Sequence, residues 1–161
     1  ITLERQSCNL REIWRLAWTN LTHLREERHV ELREDVNGDN LNCAIDEYRI
    51  EQVFRNLMEN SLAACEDPVV IEIACRETEL EGSSVLCLTF RDNGPGLRHE
   101  QATQIFQAFY TTKSKGTGLG LAIVQRMVEA HGGQIGVANL GKPGAEFIIN
   151  LPRGNPPESA S

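Results

Sequence analysis

Three short constellations in this chain carry residue types that could hold a metal-bound, phosphate-bearing ligand. Asn56 and Asn60 stand four apart, so on a helix both project from one face, where an amide oxygen offers a neutral ligand to a hard cation. Magnesium keeps several waters and draws on its ligand's phosphates, so one protein oxygen suffices if the phosphates bring the charge. Asp92-Asn93-Gly94-Pro95-Gly96 follows an apolar run and ends it in a tight turn. Its glycines would let a flat ligand lie against backbone, and a carboxylate there accepts from adenine's exocyclic amino group but repels guanine's carbonyl. Gly116-Thr117-Gly118-Leu119-Gly120-Leu121 leads into a helical pattern, where free N–H groups and the positive end of the helix dipole receive phosphate.

Each constellation alone has a plainer reading. The asparagines could be solvent-facing helix residues, the aspartate part of an ordinary turn, and Lys113 and Lys115 a solvated loop. The spacing G-x-G-x-G is not the dinucleotide-binding G-x-G-x-x-G, and no strand directly precedes it. Residues 136–142 imitate a P-loop, but Pro143 stands where a hydroxyl is needed and the run enters a turn. The four histidines show no metal-ligand spacing, and His131 reads as a dipole or capping contact at a helix end. What adds weight is the order of the three: metal, base and phosphate contacts complement one another on one ligand.

These residues need elements to position them. Apolar recurrence predicts helices over 10–27, 46–65 (capped by Asp46) and 119–131 (stopped by Gly132-Gly133), with a weak helical pattern over 100–106. Strands are expected at 29–36 and 42–45, joined as a hairpin through Asn37-Gly38-Asp39-Asn40, and at 69–75 and 85–91, separated by the polar stretch 77–84. Closing strands at 134–138 and 145–151 flank the turn Gly141-Lys142-Pro143-Gly144. Helices and strands mix without strict alternation, so the expected class is α+β, a two-layer α/β sandwich with about three helices on one face of a mixed sheet.

Length and charge narrow the partners. A chain of 161 residues suits one domain, and its net charge of −7 opposes nucleic acid and anionic membrane faces. Any anionic ligand must meet local positive charge; between Arg98 and Gly116 three basic residues face one acidic, Glu100. The five cysteines form no C-x-x-C pair, which fits a reduced, intracellular setting and makes a zinc site improbable. No apolar run reaches a membrane span.

Taken together, the motifs resemble the catalytic, ATP-binding domain of sensor histidine kinases of two-component signalling, within the superfamily of DNA gyrase, MutL and heat-shock chaperone ATPases. Gln52 to Ser61 resembles the N box, Asp92 to Leu97 the G1 box, Ile105 to Tyr110 the F box and Gly116 to Leu121 the G2 box. The run Phe109-Tyr110-Thr111-Thr112-Lys113 is similar to nitrogen-regulation-type kinases with a short lid. The resemblance implies a Bergerat-type fold holding ATP and Mg2+ between the helix layer and a lid over about 97–116. Asn60 would ligate magnesium, Asn56 and Lys113 would serve the phosphates, and Asp92 would read adenine. Ala64, Gly94, Gly96, Leu97 and Phe106 would line the nucleotide on one side; Gly116, Thr117, Gly118, Leu119, Gly120 and Leu121 would do so on the other. Two positions depart from the family: Ala63 where a lysine is common, and Ala145 where a threonine is common near the adenine.

Hydrolysing relatives place a glutamate four residues before the metal asparagine; here that residue is Asn56, which is no general base, so transfer rather than hydrolysis is expected. The implied partners are the parent's own dimerisation and histidine-phosphotransfer domain and a response regulator. No H-E/D-x-x-P-like acceptor segment is present, since His99-Glu100 continues as Gln101-Ala102-Thr103. The expected layout is a linker over 1–9, the ATP-binding domain over 10–152 and a disordered tail over 153–161. The domain itself would be a cytoplasmic monomer without membrane contact, its parent a homodimer. The alternatives are an anti-sigma-type serine/threonine kinase and a non-catalytic nucleotide sensor on the same fold.

Overall fold

A computed structural model describes residues 1–108, 110 and 119–154. The helix layer is built from α1 (Leu10–Asn20), the short α2 (Thr22–Arg25), α3 (Glu47–Ala64) and α4 (Gly120–Ala130). Asn9 caps α1 by accepting from Arg11 N and Glu12 N, and Asp46 caps α3 by accepting from Arg49 N. On α1 the buried residues Leu10, Ile13, Trp14 and Ala17 recur at helical spacing, and the Trp14 ring meets Phe54 of α3 edge-on at 5.8 Å. Central α3 packs against both α1 and α4, the latter through a face that includes Val124, Met127 and Val128.

The main sheet comprises β2 (Val30–Asp35), β4 (Val69–Leu80), β5 (Ser83–Asp92), β6 (Gln134–Ala138) and β7 (Glu146–Pro152), in the order β2-β4-β5-β7-β6. Only β2 and β4 run parallel; the other pairs are antiparallel. Ile71, Ile73, Leu86, Leu88, Phe90, Phe147 and Ile149 alternate onto the buried face under the helices. On the opposite face Arg33, Glu72, Arg91 and Glu146 are successive cross-strand neighbours, a row of alternating charge suited to water. The α+β two-layer architecture is the expected one.

Several local expectations change. The strands at 30–35 and 42–45 do not form a hairpin: β2 lies parallel to β4, and β3 (Asn42–Ile45) pairs antiparallel with β1 (Gln6–Asn9). A parallel pair needs a long crossover, and α3 between β2 and β4 supplies it. Gln6–Asn9, expected in a linker, is therefore a strand of the folded unit, and Arg153, expected in the tail, is tied in by Ala44 N donating to its carbonyl at 2.7 Å. Residues 155–161 lie outside the described residues.

The polar stretch 77–84 does not separate strands. It extends both into one ladder around Glu81 and Gly82, whose φ values of 52° and 80° suit a two-residue hairpin turn. The predicted helix 10–27 breaks at Leu21, where Thr22 Oγ1 donates to Thr19 O and Arg25 to Trp18 O, drawing carbonyls out of the ladder. The weak pattern at 100–106 yields only a 3-10 turn, His99–Gln101, closed by Arg98 N donating to Gln101 Oε1.

Candidate functional site

Two of the three constellations, and the end of the third, meet at one end of the helix layer. β5 delivers Asp92 to its tip with the carboxylate buried, 6% exposed. Oδ1 accepts from Gly94 N at 3.0 Å and Ala145 N at 3.1 Å, while Oδ2 accepts from Ser61 Oγ at 2.8 Å. Ser61 sits on α3 directly after Asn60 and is 1% exposed. A buried hydroxyl must find a partner, and here the partner is the acid at the strand tip.

α3 brings Asn56 and Asn60, both half-buried, to the same region. Asn56 Nδ2 donates to Gly120 O at 3.4 Å, joining this helix to the first turn of α4. Among the described residues no side chain caps the start of α4, so its leading N–H groups suit an anion. Leu119, Gly120 and Leu121 are half-buried there. Lys113, Gly116, Thr117 and Gly118 lie outside the described residues, as do Phe109, Thr111, Thr112 and Lys115.

The loop after β5 is held by the protein's own backbone. Gly144 N donates to Gly94 O at 2.8 Å, and Gly141 N to Leu97 O at 2.8 Å. Gly96 has φ +83°, and a Cβ there would fall 2.0 Å from Lys142 O. A Cβ on Gly94 would stand 2.9 Å from Cys65 Sγ and 3.2 Å from Asp92 Oδ1. The sequence reading assigned these glycines to ligand approach; the close approach in the structure is internal, with turn 141–144 and the end of α3. Asn93 ties the same loop to the start of β4, accepting from Val70 N and donating to Pro68 O at 2.9 Å each.

Ala64, the exposed last residue of α3, borders Gly94 through its backbone. Arg28 holds this helix end, donating to Leu62 O and, at 2.9 Å, to Cys65 O, as a cation does at the negative pole of a helix. Burial, reinforced by the neighbouring Asp92 carboxylate, pushes the Cys65 thiol up to about 12, so it adds no second negative charge beside the acid. Phe106 is half-buried and meets Phe147 edge-on at 6.4 Å, attaching the segment after the loop to β7.

His131 is more than a capping contact. It is 2% exposed; Nε2 accepts from Asp46 N at 3.1 Å, so Nδ1 carries the proton and donates to Met127 O at 2.7 Å. This neutral ring joins the C-terminus of α4 to the N-cap of α3, and burial lowers its pKa.

Sequence reasoning missed Ser61 and the role of Ala145. Ser61 falls at helical spacing from Leu57 on the buried side of α3, so its signal is a hydroxyl among apolar residues. Ala145 contributes a backbone N–H, which no side-chain pattern reveals. All five cysteines are free, and no group of three or more His, Cys, Asp or Glu among the described residues is set to hold a metal. A cation here would therefore depend on amide oxygens and on the ligand's own phosphates, as an asparagine site would require.

A buried acceptor at a strand tip, amides on the adjoining helix and the start of α4 meet in one region, and the comparisons with known proteins say which family builds such a site. The family described as histidine kinase-, DNA gyrase B-, and HSP90-like ATPase matches residues 45–155, and the chain belongs to it. It is similar to the sensor histidine kinase ZraS of Salmonella typhimurium, 34% identical over 150 residues that cover 93% of this chain and 32% of that protein. The chain thus spans about a third of that relative's length. The catalytic domain of the histidine kinase ThkA shares the fold with a TM-score of 0.81 and 28% identity over 94% of this chain and 97% of that one. ThkA has also been solved in complex with the response regulator protein TrrA (TM-score 0.77, 25% identity, covering 93% of this chain and 42% of that one). Full-length ShkA in complex with AMPPNP matches with a TM-score of 0.80 and 25% identity, over 98% of this chain and 33% of that one. Among the described residues no helix is long and apolar enough to cross a membrane.

Proposed function

We propose that this domain binds Mg-ATP and presents its γ-phosphoryl group to a histidine on a separate helical domain, as the phosphotransferase unit of a sensor histidine kinase. The observation that carries the reading is the buried Asp92 carboxylate, held by Gly94 N, Ala145 N and Ser61 at the end of the helix that bears Asn56 and Asn60. Asp92 accepts from the adenine amino group, and Asn60 supplies an amide oxygen to magnesium. When bound, the metal neutralises phosphate charge. Lys113 and the stretch Gly116–Thr117–Gly118 serve the phosphates, with Leu119, Gly120 and Leu121 at the helix mouth. Ala64, Gly94, Gly96, Leu97 and Phe106 complete the base side.

The domain's own contribution is positioning and charge compensation. Asn56 spends its amide N–H on Gly120 O and carries no carboxylate, so water lacks a general base there and hydrolysis is slow. The phosphoryl group instead waits for a histidine brought by the partner domain. A response regulator then receives it, the kind of partner seen with ThkA. The family match and the names of the relatives support this reading over a serine/threonine kinase or a silent sensor.

The test mixes the chain with a cognate histidine-bearing helical domain and γ-labelled ATP. The expected product is acid-labile phosphohistidine on the helical domain. Acid-stable label, or no transfer from a nucleotide-loaded domain in any cognate pairing, would overturn the kinase reading.

A further inference from the structure

Asp92 has its hydrogen-bonding capacity almost fully assigned. A carboxylate oxygen accepts about two hydrogen bonds. Both positions on Oδ1 are taken by backbone N–H groups, from Gly94 and Ala145, and one position on Oδ2 by the Ser61 hydroxyl. The protonated Cys65 thiol beside the carboxylate also engages it, so at most one acceptor position is left for a ligand. Ser61 Oγ has given its only proton to Asp92, so the pair presents no donor to a ligand.

Ser61 also breaks the symmetry of the carboxylate. Without it the two backbone donors would still bind Oδ1, but Oδ2 would lose its hydroxyl donor from α3. With it, Oδ2 is held from the side of α3, the same helix that carries Asn60 one residue earlier. The direction of the last acceptor position is thereby coupled to the helix that presents the amides. Ala145 offers only backbone to the acid, so the side-chain hydroxyl bonded to Asp92 among the described residues is that of Ser61.

We propose that Ser61 is a positioning residue for base selection: by donating to Oδ2 it orients the remaining acceptor capacity of Asp92 toward an exocyclic amino group and keeps the site closed to a carbonyl at the same place. This rests on the reading of Asp92 as the group that contacts the base. Ser61 itself is buried and acts through Asp92, so its removal changes which base is preferred more than how tightly phosphates are held.

Calorimetric titration of the chain with Mg-ATP and Mg-ITP tests this, since the inosine nucleotide carries a carbonyl where adenine carries the amino group. Ser61→Ala is expected to narrow the ATP-over-ITP preference by about three- to tenfold, the value of one modest hydrogen bond, with ITP affinity unchanged. Ser61→Thr, which keeps the hydroxyl, is expected to hold the wild-type ratio. A merely structural role would weaken both nucleotides in proportion and leave the ratio intact, as would an Ala variant indistinguishable from wild type; either result overturns the inference, as does a Thr variant that behaves like Ala. Asp92→Asn separates the two levels. If it abolishes the preference while Ser61→Ala preserves it, only the role of Ser61 is lost. If the wild type does not prefer ATP, or Asp92→Asn leaves the ratio unchanged, the reading of Asp92 falls and the inference with it.

Discussion

The loop after β5 and the mouth of α4 are both glycine-rich, yet glycine does different work in each. Gly96 sits at φ +83° with Lys142 O where a Cβ would go, so its lack of a side chain is consumed by internal packing. At Gly120 a Cβ would meet nothing within 4 Å among the described residues, and the backbone there is helical. The first region is a rigid wall set by the fold. Among the described residues the second leaves room at Gly120, whose carbonyl Asn56 holds, while His131 anchors the other end of the helix. A glycine-rich motif therefore says where backbone comes close to something, but not whether that something is ligand or protein.

The sharpest way to break this contrast is Gly96→Ala against Gly120→Ala. The first should destabilise the domain by about 3 kcal/mol or more in urea unfolding, since neither the positive φ nor the carbonyl can easily yield. The second should leave stability within about 1 kcal/mol of wild type, alanine being the better helix former. Its cost should appear as weaker nucleotide binding by calorimetry. Equal destabilisation by both would erase the distinction.

Next in size, Asn60→Ala should remove the magnesium-dependent part of nucleotide affinity, read by titration with and without the cation. Affinity that keeps its full magnesium dependence would detach Asn60 from the metal.

A pH-dependent effect probes the remote anchor of α4. Folding lowers the pKa of His131 below its ordinary value of about 6.5, so the unfolded chain binds the extra proton first. The contribution of His131 is present above about pH 6.5 and is lost as pH falls through and below it. Thermal unfolding of wild type should show this decline, and His131→Gln should flatten it. The ring faces Arg5, Asp46 and Arg49, whose charges also act on it.

Apart from both regions is Glu34, held at about 2 by Arg15 first, with Trp14 and Arg11 also donating to it. Its folded pKa is depressed, so its stabilisation is present above about 4.5 and lost as pH falls toward 2. Glu34→Gln should remove that acidic step while leaving the step near pH 6.5. Loss of both together would mean that the two are not independent.

Much of the fold was legible because period and punctuation act locally. Asp46 as a cap, the stripe of α3, the stop at Gly132 and the bounds of β6 all follow from side chains within a few residues. Strand pairing was not legible in the same way. β2 alternates equally well whether its neighbour is β3 or β4, and the choice rests on a helix that begins only after β3. The hairpin tip at 77–84 was hidden because an exposed ladder needs no apolar side chains. In the site, Asn56, Asn60 and Asp92 were visible as residue types at useful spacing. Ser61 was obscured because a serine within an apolar stripe resembles a small core residue until its partner is known.

By itself the sequence determined the helices, the order of the motifs, the absence of a carboxylate at position 56 and the family, since these depend on residue identity and short-range spacing. Only the tertiary structure decided that Ser61 and Asp92 share a hydrogen bond across 31 residues, that His131 bonds the cap of α3 across 85, and that Gly96 faces a carbonyl of its own chain. The reason is physical: hydrogen bonds and close contacts between distant segments depend on where the sheet places their backbones, which no local pattern encodes.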